Sequence, residues 1–128
     1  MNIEGMTHDG MNGDALIGDF AQKTGADLYT FTVFTEVEML ARAMNATGSI
    51  DTFKVAAALE GMALDTVTGT ATMRKDNHQL LQPMFVSTFS EGVKYPAEKT
   101  AFGFRTDMRI EADKTAMPTT CKMVRPDK

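Results

Sequence analysis

Residues 51–86, DTFKVAAALEGMALDTVTGTATMRKDNHQLLQPMFV, decide the fold class. Asp51 stands where an N-cap belongs, since its carboxylate can accept the free amides of a first helical turn. Ile50 before it and Val55 within the first turns are spaced as a hydrophobic staple. Val55, Ala58, Leu59 and Met62 fall on one helical face, and Gly61 supplies a left-handed stop. Val67, Gly69, Ala71 and Met73 then alternate with Thr66, Thr68, Thr70, Thr72 and Arg74, the period of a half-buried strand. Lys75 to His78 form a polar turn. A second strand is expected from about Gln82 to Phe89, with Pro83 near its start, where a missing amide is tolerated. A helix followed by a hairpin is an α/β grammar.

Upstream, residues 1–12 read as an irregular, Gly-, Asn- and Asp-rich lead-in. A helix is expected from Asn12 or Gly13, with Leu16, Ile17, Phe20 and Ala21 on one face and Gly25 as its stop. Lys23 lies in its last turn, where the helix dipole favours a cation. The run Leu28 to Phe34 is β-prone, either a short strand or an extended approach to the next helix. In that helix Phe34, Val37, Leu40, Ala41 and Met44 form an apolar stripe expected to face the core. Thr35, Glu38, Arg42 and Asn45 point elsewhere, and the helix ends near Gly48. Downstream, residues 91–128 mix extended pieces such as Ala101–Arg105 with Pro118 and Pro126. They are expected to wander over a surface.

Composition removes several function classes. The chain has 128 residues, 43% of them hydrophobic and 23% charged, enough for a core and unlike a disordered segment. A net charge of −4 opposes nucleic-acid backbone binding, which needs a basic face. No window reaches the roughly 18 consecutive apolar residues of a membrane span. The segment MNIEGMTHDG lacks the basic and apolar regions of an export signal, so this chain as written reads as cytosolic. Cys121 is the single cysteine, which excludes an internal disulfide.

The order SIDTFKVAAALEGM at 49–62, TG at 68–69 and MRKDNHQLLQP at 73–83 resembles the carboxyl-terminal part of the branched-chain amino-acid ABC transporter substrate-binding proteins. This is the leucine/isoleucine/valine-binding family, with the type I periplasmic fold. LARAM at 40–44, GFRTDMRI at 103–110 and PTTCKM at 118–123 extend the resemblance over roughly residues 14–128. Thr52 departs from the family's usual proline after the N-cap, and Phe34-Thr35 from its Tyr-Asp pair. The expected architecture is therefore α/β: an irregular lead-in over 1–12, helices plus a β-hairpin of one lobe over 13–90, and an extended tail over 91–128.

The resemblance implies a receptor whose two lobes close over an amino acid. Most contacts to the ligand's carboxylate and ammonium would come from earlier sequence that this chain lacks. The family places an aromatic just before the long helix, against the ligand side chain. That position matches Tyr29, with Phe31 two residues on, and both are candidate ligand-binding residues. The alternative for each is a place in the core. The implied partners are a small-molecule ligand, the ABC permease and the missing amino-terminal part of the same protein. Exposed strand edges without their neighbours would invite self-association. The intact receptor would be periplasmic or otherwise extracytoplasmic. A ligand-sensing regulator of the same fold, or an inactive truncated piece, are the alternatives. In an exported parent Cys121 would have a partner elsewhere; otherwise it is an inert thiol.

No cofactor and no metal site is expected, and no enzyme. His8 in THDG is placed in a loose terminus, and His78 in KDNH caps a turn or meets solvent. Glu36 and Glu38 are two apart on a helix and do not face each other.

Overall fold

The computed structural model describes residues 6–29 and 31–125. Helix α1 spans Asp14–Thr24 and ends on Gly25, whose φ of 70° is the left-handed conformation the sequence calls for. Gly13 precedes it, and a methyl built there would come within 3.0 Å of Val67. Glycine lets α1 start against that turn, which the Asn12 amide pins by a 2.8 Å bond to the Val67 carbonyl. Between α1 and α2 no strand forms in the described residues; Thr30, inside the β-prone run, lies outside them.

Helix α2 covers Thr32–Thr47 and stops at Gly48, so it begins earlier than its apolar stripe implies. The face it buries is also different. Thr35, Met39 and Ala43 are its buried residues, packed toward α3 and the first strand. The expected core stripe instead faces outward: Phe34 is 48% exposed and Val37 59%. Met39, 2% exposed, fills the buried face between the smaller Thr35 and Ala43. Helix α3, Thr52–Leu59, is capped as expected, with the Lys54 amide donating to Asp51 Oδ1 at 3.0 Å. Val55 is buried, but Ile50 is 85% exposed, so the staple is not made. Asp51→Ala should therefore cost about 1 kcal/mol in urea denaturation, and Ile50→Ala no more than about 0.5 kcal/mol.

The alternating run 66–74 is not one strand. Strands β1, Ala63–Thr66, and β2, Gly69–Met73, pair antiparallel across a tight turn at Val67 and Thr68. The Thr66 hydroxyl closes that turn, accepting from the Thr68 amide at 3.2 Å and donating to the Gly69 carbonyl at 2.7 Å. Gly69 has φ 126°, which a side chain rarely tolerates. Alternation continues through a two-residue loop, so period alone could not reveal the reversal. The Lys75–His78 turn leads into β3, Leu80–Leu81, completing a three-stranded sheet in the order β1-β2-β3.

The strand expected from about Gln82 begins just after Pro83, and the short β3 lies ahead of it. This strand, β4 (Met84–Glu91), does not pair with β2 as a hairpin would require but with β5, Phe102–Ile110. The tail thus contributes a nine-residue strand rather than only surface coil. A register shift between Val86 and Ser87 leaves Asp107 as an extra residue on β5. A short 3-10 turn at Ala112–Thr115 follows. One core cluster joins Met11, Leu28 and Phe31, with Leu16, Ile17, Phe20, Val67 and Tyr95 packed against it.

The lead-in is not loose where it is described. His8 is fully buried, its ring centroid 4.2 Å from that of Phe85 on β4. The Thr106 hydroxyl on β5 donates to the Asp9 carbonyl at 2.5 Å, and the Asp9 amide donates to the Phe104 carbonyl at 3.0 Å. Backbone bonds to β5 hold what composition alone assigns to irregular chain.

Candidate functional site

The segment between α1 and α2 and the loop between β4 and β5 meet over the side of α1. They enclose a cavity of about 170 Å³, lined among others by Ile17, Asp27, Leu28, Tyr29, Lys94 and Tyr95. Each wall has a different origin. Ile17 comes from the face of α1 that the sequence marks as apolar. Tyr29 comes from the extended chain after Gly25. Lys94 and Tyr95 are carried by the loop after β4, where Pro96 bridges to Gly103.

The polar rim is a set of closed pairs. The Tyr29 hydroxyl lies 2.7 Å from Glu98 Oε1 and 3.2 Å from Asp27 Oδ2. Asp27 also accepts from the Glu98 amide at 2.6 Å, which fixes the β4–β5 loop to the α1–α2 segment. Donation to Glu98 raises the Tyr29 pKa well above an ordinary phenol, with burial and Asp27 adding to it. Tyr29 is therefore a neutral donor at any physiological pH. Across the cavity, Lys94 Nζ sits 2.8 Å from Asp14 Oδ1, and the Tyr95 hydroxyl donates to the same carboxylate. These bonds hold the Asp14 carboxyl below its usual range, Lys94 being the larger cause, and Asp14 in turn raises the Lys94 ammonium. The Lys94 ammonium also lies 5.1 Å from the Tyr95 ring centre.

Chemically this is a grip. An apolar floor from Ile17 and Leu28 is rimmed by two phenols, Tyr29 held by Asp27 and Glu98 and Tyr95 held by Asp14, which also pairs with Lys94. Its volume falls below the roughly 300–1,000 Å³ of a typical small-molecule pocket.

Of the two aromatics singled out by sequence, Tyr29 lines this cavity. Phe31 is 3% exposed within the core cluster and borders a separate open groove with Phe34 and Leu64. Tyr95, Lys94, Asp14, Asp27 and Glu98 carry no sequence signal of their own, because they meet only when β5 brings the loop back. Elsewhere, His78 Nε2 lies 3.2 Å from Glu60 Oε1, which also accepts from Arg125 at 2.6 Å. The Arg125 guanidinium beside Glu60 holds its carboxyl below the usual range, and His78 adds to it. Cys121 is a free, exposed thiol.

Comparison with known proteins gives a consistent picture. The family model described as "Periplasmic binding protein" matches residues 7–94. The chain is 33% identical over 81 residues to Leu/Ile/Val-binding protein homolog 4 of Brucella abortus (strain 2308), covering 62% of this chain and 20% of that protein. The Brucella suis biovar 1 homologue gives the same figures. Among solved structures, the leucine-, isoleucine-, valine-, threonine- and alanine-binding protein of Brucella ovis, in its closed conformation, superposes with a TM-score of 0.80. It is 24% identical, covering 95% of this chain and 34% of that one. An ABC-type branched-chain amino acid transporter protein of Rhodopseudomonas palustris CGA009 gives a TM-score of 0.66 at 24% identity, covering 84% and 29%. The chain thus spans about a fifth of the length of the curated relatives and about a third of the solved ones.

Proposed function

The chain belongs to the periplasmic binding protein family, and we propose from this that it is the carboxyl-terminal portion of a receptor that captures a small solute. Its α/β fold is part of the type I architecture. In the proposed receptor, a branched-chain amino acid or related molecule binds between two lobes, and closure presents it to an ABC permease outside the cytoplasm. The role is binding and delivery rather than catalysis.

The observation that carries this reading is the cavity at Tyr29, a partial site walled by an aromatic and rimmed by fixed polar groups. Tyr29 forms the apolar wall against the ligand side chain. Phe31, packed on Met11 and Leu28, backs the segment that carries it. The Asp27 and Glu98 carboxylates suit an ammonium near the Tyr29 hydroxyl. The rest of the ligand's polar contacts come from polypeptide that completes the cleft. The outward apolar stripe of α2 supports the same reading, since in an α/β layer fold such a stripe is covered by another element.

Calorimetry of residues 1–128 with leucine, isoleucine and valine should give no heat of binding. A chimera in which this chain replaces the matching third of the Brucella ovis receptor should bind. Tyr29→Ala in that chimera should then weaken binding by about 1.5–3 kcal/mol, roughly tenfold or more, the value of a large buried apolar wall. Micromolar binding by the chain alone, or unchanged affinity in the variant, contradicts the proposal.

A further inference from the structure

Asn12 is exposed, and its side chain makes no hydrogen bond among the described residues. Glycine follows it, so no side chain shields the backbone nitrogen of residue 13. That nitrogen donates to no acceptor among the described residues either. It stands at the entry to the 11-residue α1, where unsatisfied amides and the helix dipole favour negative charge. An exposed amide carbon and a neighbouring nitrogen that gives up no hydrogen bond are what ring closure onto an asparagine needs.

The chemistry follows from these two groups. The Gly13 nitrogen loses its proton to hydroxide and attacks Asn12 Cγ. The side-chain nitrogen takes up a proton from water and leaves as ammonia, and a cyclic succinimide remains. Water then opens the ring. Cleavage between Cγ and the Gly13 nitrogen gives aspartate; cleavage at the main-chain carbonyl gives isoaspartate, linked to Gly13 through Cγ.

The other described asparagines are blocked. Asn45 lies inside α2, where the next amide is held by the helix ladder. Asn77 Oδ1 accepts from the Gln79 amide at 3.0 Å, and His78 rather than glycine follows it. Asp9 also precedes a glycine, but its Oδ1 accepts from the Lys94 amide at 2.8 Å.

We infer that Asn12 is a site of spontaneous deamidation and that its isoaspartyl form slackens the start of α1. Isoaspartate adds a carbon to the main chain between residues 12 and 13. That stretch has no room for it. The Asn12 amide is held to the Val67 carbonyl at 2.8 Å, and a methyl on Gly13 would come within 3.0 Å of the Val67 side chain. Helix α1 carries Ile17 to the cavity, so the change reaches the cavity wall. The reaction needs neither ligand nor further polypeptide and stands apart from the receptor reading.

Residues 1–128, kept folded in mildly alkaline buffer and mapped as peptides by mass spectrometry, should show Asn12 converted while Asn45 and Asn77 stay intact. Conversion should rise with hydroxide concentration, and isoaspartyl methyltransferase should label the product. Asn12→Gln, which keeps the amide but lengthens the arm, should lose that label almost completely. In the isoaspartyl fraction, resolved by ion exchange, the Asn12 amide should exchange hydrogen faster than in the parent. An Asn12 that stays intact, or converts only after unfolding in urea, overturns the inference. So does an Asn45 or Asn77 that converts as fast, or a label that survives in Asn12→Gln. Unchanged exchange at the Asn12 amide overturns the slackening of α1.

Discussion

Phe85→Ala should lose about 3–5 kcal/mol of stability, the range for truncating a buried aromatic. Phe85 is 2% exposed, its ring centre 4.2 Å from that of His8 and 5.5 Å from the Arg109 guanidinium. It is the point where the lead-in, β4 and β5 meet. The residual void cannot be filled from β4 or β5, whose backbones are fixed by their own ladder. A domain is stable by only about 5–15 kcal/mol, so this single change removes a large fraction. The companion is Phe89→Ala, on the same strand. Phe89 is 54% exposed and meets Phe102 and Phe104 at 5.8 and 5.3 Å between ring centres. It should cost no more than about 1.5 kcal/mol, the value of a partly solvated aromatic pair. Urea unfolding followed by circular dichroism, at one fixed protein concentration, separates the two. Equal losses would mean that the β4–β5 hairpin does not rest on the lead-in.

The contrast between Phe85 and Phe89 also shows where sequence reading reaches and where it stops. Helix ends were legible because they depend on single residues: Gly25, Gly48 and Asp51 act through local backbone geometry and keep that action in the fold. The buried face of α2 was not legible. Periodicity finds the apolar stripe but cannot say which face of the helix packs, and here Thr35, Met39 and Ala43 do. The turn at Val67-Thr68 was hidden because alternation survives a two-residue reversal. Strand β5 did leave a signal: Phe102, Phe104, Thr106, Met108 and Ile110 alternate with Gly103, Arg105, Asp107 and Arg109. Same-side ion pairs, Arg105 with Asp107 and Arg109 with Glu111, make the polar row look like ordinary charged tail. For the cavity, Tyr29 could be reached through family resemblance. Lys94, Tyr95 and Glu98 could not, because their proximity to Asp14 and Asp27 is created by long-range pairing.

His8 should make the chain lose stability as the pH falls from 8 toward 5. The carbonyl of Asp9, 2.6 Å from Nδ1, can only accept, so Nδ1 carries the proton of the neutral ring. Nε2 is buried with no hydrogen-bond partner among the described residues. Protonating it would place a charged, unpaired donor beside Phe85. Burial is the largest influence and lowers the His8 pKa below its ordinary 6.5, against the opposing Asp9 carbonyl and charge. The unfolded chain therefore takes up a proton near pH 6.5 that the folded chain resists. The full contribution is present above that value and is lost as pH falls toward the depressed folded pKa. Carboxylates held low by partners, Asp14 and Asp107 among them, act in a separate window below about pH 4. His8→Asn retains an amide donor near the Asp9 carbonyl but cannot ionise. It should cost about 2–4 kcal/mol at pH 8 through lost packing on Phe85, and its urea midpoint should be nearly flat between pH 7 and 5. A parent midpoint that does not fall over that interval, or a slope that survives in the variant, would show that the buried ring is not what senses acid.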